Sequence, residues 1–84
     1  MLMFTVYVLM SLSNRKRYVG YTGKTPEQRL LEHNGGANKF TRQNGPFVLV
    51  YTEHLNNKTL AIRREKFLKS GQGRKFLDSL MLSA

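Results

Sequence analysis

The chain has no cysteine, so neither disulfides nor a thiolate zinc site can support it, and its redox compartment is left unmarked. It has no apolar run of about 18 residues, the length a membrane-crossing helix requires. Acidic residues are scarce: five Asp and Glu stand against 14 Lys and Arg, giving a formal net charge of +9 over 84 residues. A field of that sign favours polyanions, nucleic acid first and an anionic membrane surface second. A basic amphipathic helix with a large apolar face, which an adaptor for membranes or acidic proteins would need, is missing too. Repeats, linkers and low-complexity segments are also missing, so residues 1–84 read as one domain. A chain of this length buries only about 60–65% of the surface its unfolded form exposes. With 40% hydrophobic residues, apolar packing alone can supply a modest core. The apolar start, Met1 to Met10, lacks a basic segment and a small-residue cleavage site, so it reads as part of the fold rather than as a leader. A cytoplasmic location is the default expectation.

What is present reads as short strands and helices. Phe4, Val6, Val8 and Met10 alternate with Thr5, Tyr7 and Leu9, the period of a strand. Ser13-Asn14 suits a turn, and Arg17 to Thr22 resumes the extended pattern, which predicts an antiparallel hairpin with Tyr7 and Tyr18 on one face. Thr25 can cap a helix over Pro26 to Asn34, with Pro26 at the first position and Gln28 completing a capping box. Leu30 and Leu31 are expected to face the core, and Gly35-Gly36 to end the helix in a left-handed cap. Ala37 to Pro46 reads as a loop. Phe47 to Thr52 is nearly continuous in apolar character, as in a strand buried on both faces. Asn56-Asn57 marks a turn and cap before a helix over Lys58 to Ser70, with Leu60, Ala61, Phe67 and Leu68 as its buried stripe. Gly71 and Gly73 are read as its break, and Arg74 to about Leu82 as a last helix. The order β-β-α-β-α-α predicts an α+β domain, a small, mostly antiparallel three-stranded sheet with helices packed on it.

Arg29 and His33 are four residues apart and project from one helix face. A guanidinium offers a fork of donors to a phosphate, and an imidazole can move a proton near neutral pH. The fragment Gly23-Lys24-Thr25 does not make a phosphate loop, because Tyr18 stands where that motif needs a glycine. Nothing places His33 and His54 at metal-ligand spacing.

The ordered set Val6-Tyr7-Val8, Tyr18-Val19-Gly20, Arg29, His33-Asn34 and Glu65 resembles the GIY-YIG nuclease superfamily. It is most similar to small stand-alone members that look like the N-terminal nuclease domain found in excinucleases. The likeness runs from about Phe4 to Phe76, and the stretch Arg63 to Gly71 is typical of that subgroup. The resemblance implies a phosphodiester-cleaving DNA endonuclease of weak sequence specificity. Tyr7 and Tyr18 match the two motif tyrosines, one of which assists the attacking water. Arg29 matches the arginine on the scissile phosphate, and His33 a histidine found one turn later in some members. Glu65 matches the carboxylate that holds a single divalent cation, Mg²⁺ or Mn²⁺. Gly20 matches the glycine expected to let the backbone turn into the helix. A hard cation keeps most of its waters, so one glutamate can suffice when phosphate oxygens complete its shell. Candidate nucleic-acid contacts are Lys39, Arg42, Arg63, Lys66, Lys69, Arg74 and Lys75. The sequence departs from the pattern at Thr5, where a glycine is usual, at Tyr21, and at Leu77, near the place of a family asparagine. A non-catalytic nucleic-acid-binding module of the same fold is the alternative reading.

Overall fold

The computed structural model describes residues 3–82. Met1 and Leu2, read above with the first strand, lie outside the described residues. Strand β1 (Phe4–Ser11) is central, antiparallel to β2 (Arg17–Thr22) on one side and to β3 (Phe47–Leu55) on the other. Helices α1 (Pro26–Asn34) and α2 (Lys39–Asn44) lie between β2 and β3, and α3 (Lys58–Lys69) and α4 (Gly71–Leu82) follow β3. This is the α+β arrangement expected from the sequence.

The added element is α2, inside the segment read as a loop. Asn38 starts it: its side chain accepts from the Thr41 N–H at 2.9 Å, and the Thr41 hydroxyl accepts from the Asn38 N–H at 3.3 Å. The pair makes a capping box from Asn and Thr, outside the usual Ser/Thr to Glu/Gln signature. In α1 the expected box is present, with Thr25 and Gln28 exchanging bonds of 3.1 Å and Pro26 at the first turn. Two details of α1 differ from expectation. Gly35 has φ −83°, and the left-handed conformation falls one residue later, on Gly36 at φ +90°. Leu31 is 73% exposed, while His33 is fully buried. A short helix has one inward sector, and Leu30 and His33, three apart, fill it.

Both faces of the sheet are covered. Val6, Val8 and Val19 pack against Ala61, Leu68 and Leu77 of α3 and α4. Tyr7, Leu9 and Phe47 pack with Tyr18, Leu30 and Phe40 on the side of α1 and α2. The strand buried on both faces is therefore β1, and β3, expected in that role, is a half-buried edge. Its unbroken apolar run has another cause. Val8 lies opposite Tyr51 and Leu9 opposite Leu49, so Val50 is an extra residue that interrupts the period of two. Asn57 caps α3, accepting from the Leu60 N–H at 2.9 Å, and Ala61 and Leu68 are buried as expected, whereas Leu60 is exposed. The break between α3 and α4 is Ser70. Its hydroxyl accepts from the Gly73 N–H at 3.2 Å, which leaves Gly71 and Gly73 inside the first turn of α4. Arg64 fastens α3 to β3 by forking onto Glu53 at 2.8–3.1 Å, with its guanidinium 4.8 Å from the Phe67 ring centre.

Candidate active site

Tyr7 projects from the middle of β1 and is 1% exposed. Directly opposite it in the hairpin is Gly20. A Cβ there would stand 2.6 Å from the Tyr7 hydroxyl oxygen and 2.7 Å from Cζ. The glycine is therefore a vacancy that Tyr7 fills, in mid-strand, and not the turn into α1 that the sequence suggested. Tyr18 lies opposite Leu9, and the Tyr7 and Tyr18 ring centres are 6.3 Å apart on one face, as expected.

Helix α1 brings Arg29 and His33 onto these rings. The Tyr7 hydroxyl is 2.9 Å from His33 Nε2 and accepts from Arg29 Nε at 3.3 Å. Arg29 Nη2 is 3.4 Å from the same His33 nitrogen. A guanidinium can only donate, so Nε2 presents its lone pair and the imidazole proton is on Nδ1. That leaves Tyr7 donating to His33 while it accepts from Arg29. Nδ1 is buried with no hydrogen-bond partner. An unmet polar atom of this kind costs about 1–3 kcal/mol and marks a site held for some other purpose than stability. Tyr18 stacks at 4.5 Å from the His33 ring centre, with its hydroxyl 3.5 Å from Asn38 Nδ2.

Electrostatics keep this cluster neutral apart from Arg29. Burial, then the Arg29 charge, push the His33 imidazole below its ordinary value of 6.5. Burial also raises the Tyr7 phenol, against the pull of the Arg29 hydrogen bond and charge, and the Glu65 carboxylate adds to the rise. Glu65 itself comes from α3, which packs on the other face of the sheet.

The His33 shift has a consequence for folding. Below the ordinary imidazole value the unfolded chain takes up a proton that folded His33 refuses, so stability should fall as pH drops below about 6.5. One linked proton gives a slope of at most about 1.4 kcal/mol per pH unit. Urea unfolding between pH 7 and pH 5 should show this loss in the wild type and not in His33→Gln. Equal slopes in the two proteins would contradict it. The depressed carboxylates Glu32 and Glu53 act lower, below their ordinary 4.5.

Of the acidic side chains, Glu53 is held by Arg64, Glu32 by Lys24 and Arg29, and Asp78 by Arg17. Glu65 is 18% exposed and has a looser partner, Lys69 Nζ at 3.5 Å. A half-buried carboxylate with a single long ion pair fits a hard divalent cation. Among the described residues no group of three or more His, Cys, Asp or Glu converges, so such a cation would take its remaining oxygens from water and phosphate. His54 is elsewhere, on β3, with Nδ1 3.0 Å from the Thr5 hydroxyl.

The predicted nucleic-acid contacts divide. Lys69 and Arg74 line a groove of 590 Å³ that has Tyr18 in its wall and Phe40, Leu68 and Leu77 in its floor. Lys39, Arg42, Arg63, Lys66 and Lys75 are exposed outside that groove, Arg42 donating to the Gly36 carbonyl at 3.2 Å. The groove's other cations, Arg15, Lys16 and Arg17, are absent from the contacts expected from sequence. Their signal was available: three consecutive bases at a hairpin turn, immediately before Tyr18. Leu77 is 1% exposed and supplies core, so nothing polar takes the place of the family asparagine there.

Comparison with known proteins agrees with this geometry. Residues 3–76 match the GIY-YIG catalytic domain. A UPF0213 protein of Natronomonas pharaonis is 42% identical over 66 residues, covering 77% of this chain and 75% of that protein. A UPF0213 protein of Staphylococcus haemolyticus is 39% identical over 66 residues, covering 77% and 78%. The solution NMR structure of the UPF0213 protein BH0048 from Bacillus halodurans superposes with a TM-score of 0.55 at 34% identity, covering 93% of this chain and 84% of that one. The order of Tyr7, Tyr18, Arg29, His33 and Glu65, the fold that gathers the first four and the match over 3–76 lead to one assignment: the chain belongs to the GIY-YIG catalytic-domain family, a family of nucleases.

Proposed function

We propose that this protein is a divalent-metal-dependent endonuclease that hydrolyses phosphodiester bonds in DNA with little sequence preference. The observation that carries the reading is the chain Arg29 to Tyr7 to His33, in which one phenol is both polarised by a guanidinium and backed by a neutral imidazole. Phosphodiester hydrolysis needs an activated water and neutralisation of charge growing on the phosphate. Arg29, with its planar fork, binds and orients the phosphate. Tyr7 orients the water at its free lone pair: as the water oxygen bonds to phosphorus its proton passes to the Tyr7 oxygen and the phenolic proton passes to His33 Nε2, while the P–O bond to the leaving oxygen breaks and that oxygen takes a proton from solvent. Tyr18 packs against the imidazole and holds it in place. Glu65 would hold Mg²⁺ or Mn²⁺, which when bound neutralises phosphate charge and makes bound water more acidic. The groove beside Tyr18 supports a polyanionic substrate, since Arg15, Lys16, Lys69 and Arg74 are exposed on its rim.

The test is cleavage of end-labelled branched, single-stranded and duplex DNA, with and without Mg²⁺ or Mn²⁺, beside a salt titration of binding. Cutting that requires metal is expected. The logarithm of affinity should fall linearly with the logarithm of salt, with a slope of about −0.7 to −0.9 per phosphate contacted. Salt-dependent binding with no cutting of any substrate would leave the non-catalytic binding module. Affinity insensitive to salt would remove nucleic acid as the partner.

A further inference from the structure

Arg29 is the residue the proposed reaction asks to take hold of a phosphate, yet each of its three guanidinium nitrogens already has a partner. Nε donates to Tyr7, Nη2 points to His33, and Nη1 is bonded to Glu32 Oε1. The first two contacts, at 3.3 and 3.4 Å, are to neutral groups inside the site. The third is to a full negative charge, and at 36% exposure Glu32 lies nearer the solvent than Arg29, at 26%. The other oxygen of that carboxylate accepts from Lys24 Nζ at 2.8 Å. Lys24 first, then Arg29, holds the Glu32 carboxyl below the usual carboxylate range, so it is ionised throughout neutral pH.

From this division of one carboxylate between two cations we infer that Glu32 is a stand-in anion, which occupies the phosphate-gripping edge of Arg29 until substrate displaces it. This rests on the role given to Arg29 above. Glu32 is a positioning residue: it touches no reacting atom. It keeps a charged guanidinium from wandering while the site is empty, and it competes with every phosphate that arrives. Lys24 makes the exchange easy, because Glu32 can leave Arg29 without becoming an unpaired charge. Substrates with one weakly held phosphate are thereby disfavoured relative to a polyanion whose other phosphates are already bound along the basic rim.

The experiment uses inorganic phosphate as probe and the Arg29 Nε–H resonance as readout, in Glu32→Gln and in Glu27→Gln. Both variants remove one negative charge from α1, and Glu27, exposed in the first turn, makes no bond to Arg29. An exposed ion pair is worth a factor of about two to five in a competing equilibrium, so phosphate should bind Glu32→Gln tighter than Glu27→Gln by about that factor. In cleavage assays KM should fall in Glu32→Gln with kcat nearly unchanged. Equal or weaker phosphate affinity in Glu32→Gln overturns the inference. So does a fall in kcat at constant KM, the signature of a residue that only orients Arg29. A silent Arg29 resonance in both variants overturns it as well. Because the phosphate titration needs no turnover, a protein that cleaves nothing would defeat the nuclease reading and leave this comparison intact.

Discussion

Glu65→Gln should cut metal-dependent cleavage by about 10²–10³-fold, the loss of about 2.7–4 kcal/mol that follows removal of one electrostatic stabiliser of a transition state. The substitution keeps the size and hydrogen-bonding shape of the side chain and removes the charge. Glu65 is half-buried on α3, with Lys69 as its ion-pair partner, and lies outside the hydrophobic core clusters. A 3.5 Å pair whose lysine is exposed contributes about 1 kcal/mol, so the folded protein should persist. DNA affinity should hold or rise, because a charge repelling phosphate has gone. Arg29→Lys should be comparably severe, since a point charge cannot reproduce the planar fork that bonds Tyr7 and His33 and takes the phosphate. Single-turnover rates, with wild type purified beside the variants to exclude host nucleases, check both. Wild-type rates in Glu65→Gln would reduce Glu65 to a surface salt-bridge partner.

Gly73→Ala should be the most destabilising of the glycine-to-alanine substitutions among the described residues. A Cβ at Gly73 would stand 1.9 Å from the Phe67 carbonyl oxygen and 2.4 Å from Leu68 Cα. Those atoms are backbone at the end of α3, so relief requires the two helices to separate. Leu68 and Leu77, which share the core cluster beneath that junction, would separate with them. Overpacking of this kind costs about 1–3 kcal/mol, sometimes more, against about 1 kcal/mol regained in helix propensity. A net loss of about 2 kcal/mol lowers Tm by roughly 8–16 °C in a domain of this size. Gly71→Ala is the control, because a Cβ there meets nothing within 4 Å. Thermal unfolding should show Gly71→Ala at or above the wild-type Tm. A Gly73→Ala protein as stable as wild type would mean that α4 is not packed as described.

These two glycines illustrate where the sequence was legible. Several local signals were read correctly: the Thr25 to Gln28 box, Pro26 at the first turn of α1, Asn57 before α3, the hairpin that sets Tyr7 beside Tyr18. The α1 spacing put Arg29 and His33 on one face, and they do converge. Most of what failed depended on the third dimension. Gly20 and Gly73 look like turn residues, and each is a space for a neighbour distant in the chain or across a junction. The apolar run of β3 looks like a central strand because the extra residue Val50 conceals its alternation. Helix α2 was hidden by a capping box written with Asn and Thr. Glu32 could be seen as a charge three residues from Arg29, but not as the anion on its guanidinium. The basic triplet Arg15 to Arg17 lay in plain sight, and only the fold turns it toward Lys69 and Arg74.

Tyr7 is the phenol bonded to both Arg29 and His33, whereas Tyr18 packs beside them, and the proposed chemistry depends on that difference. The measurement is the single-turnover cleavage rate of Tyr7→Phe against Tyr18→Phe in the same metal and on the same DNA. Each variant loses one hydroxyl oxygen and keeps its ring. The Tyr7 hydroxyl makes the chain of donors and acceptors, so Tyr7→Phe should lose about 10²–10⁴-fold, the range for a positioned proton-transfer group. The Tyr18 hydroxyl has a long contact, 3.5 Å to Asn38, so Tyr18→Phe should stay within about tenfold of wild type. The reverse order, with Tyr18→Phe inactive and Tyr7→Phe close to wild type, would contradict the assignment of Tyr7 as the group that acts on water.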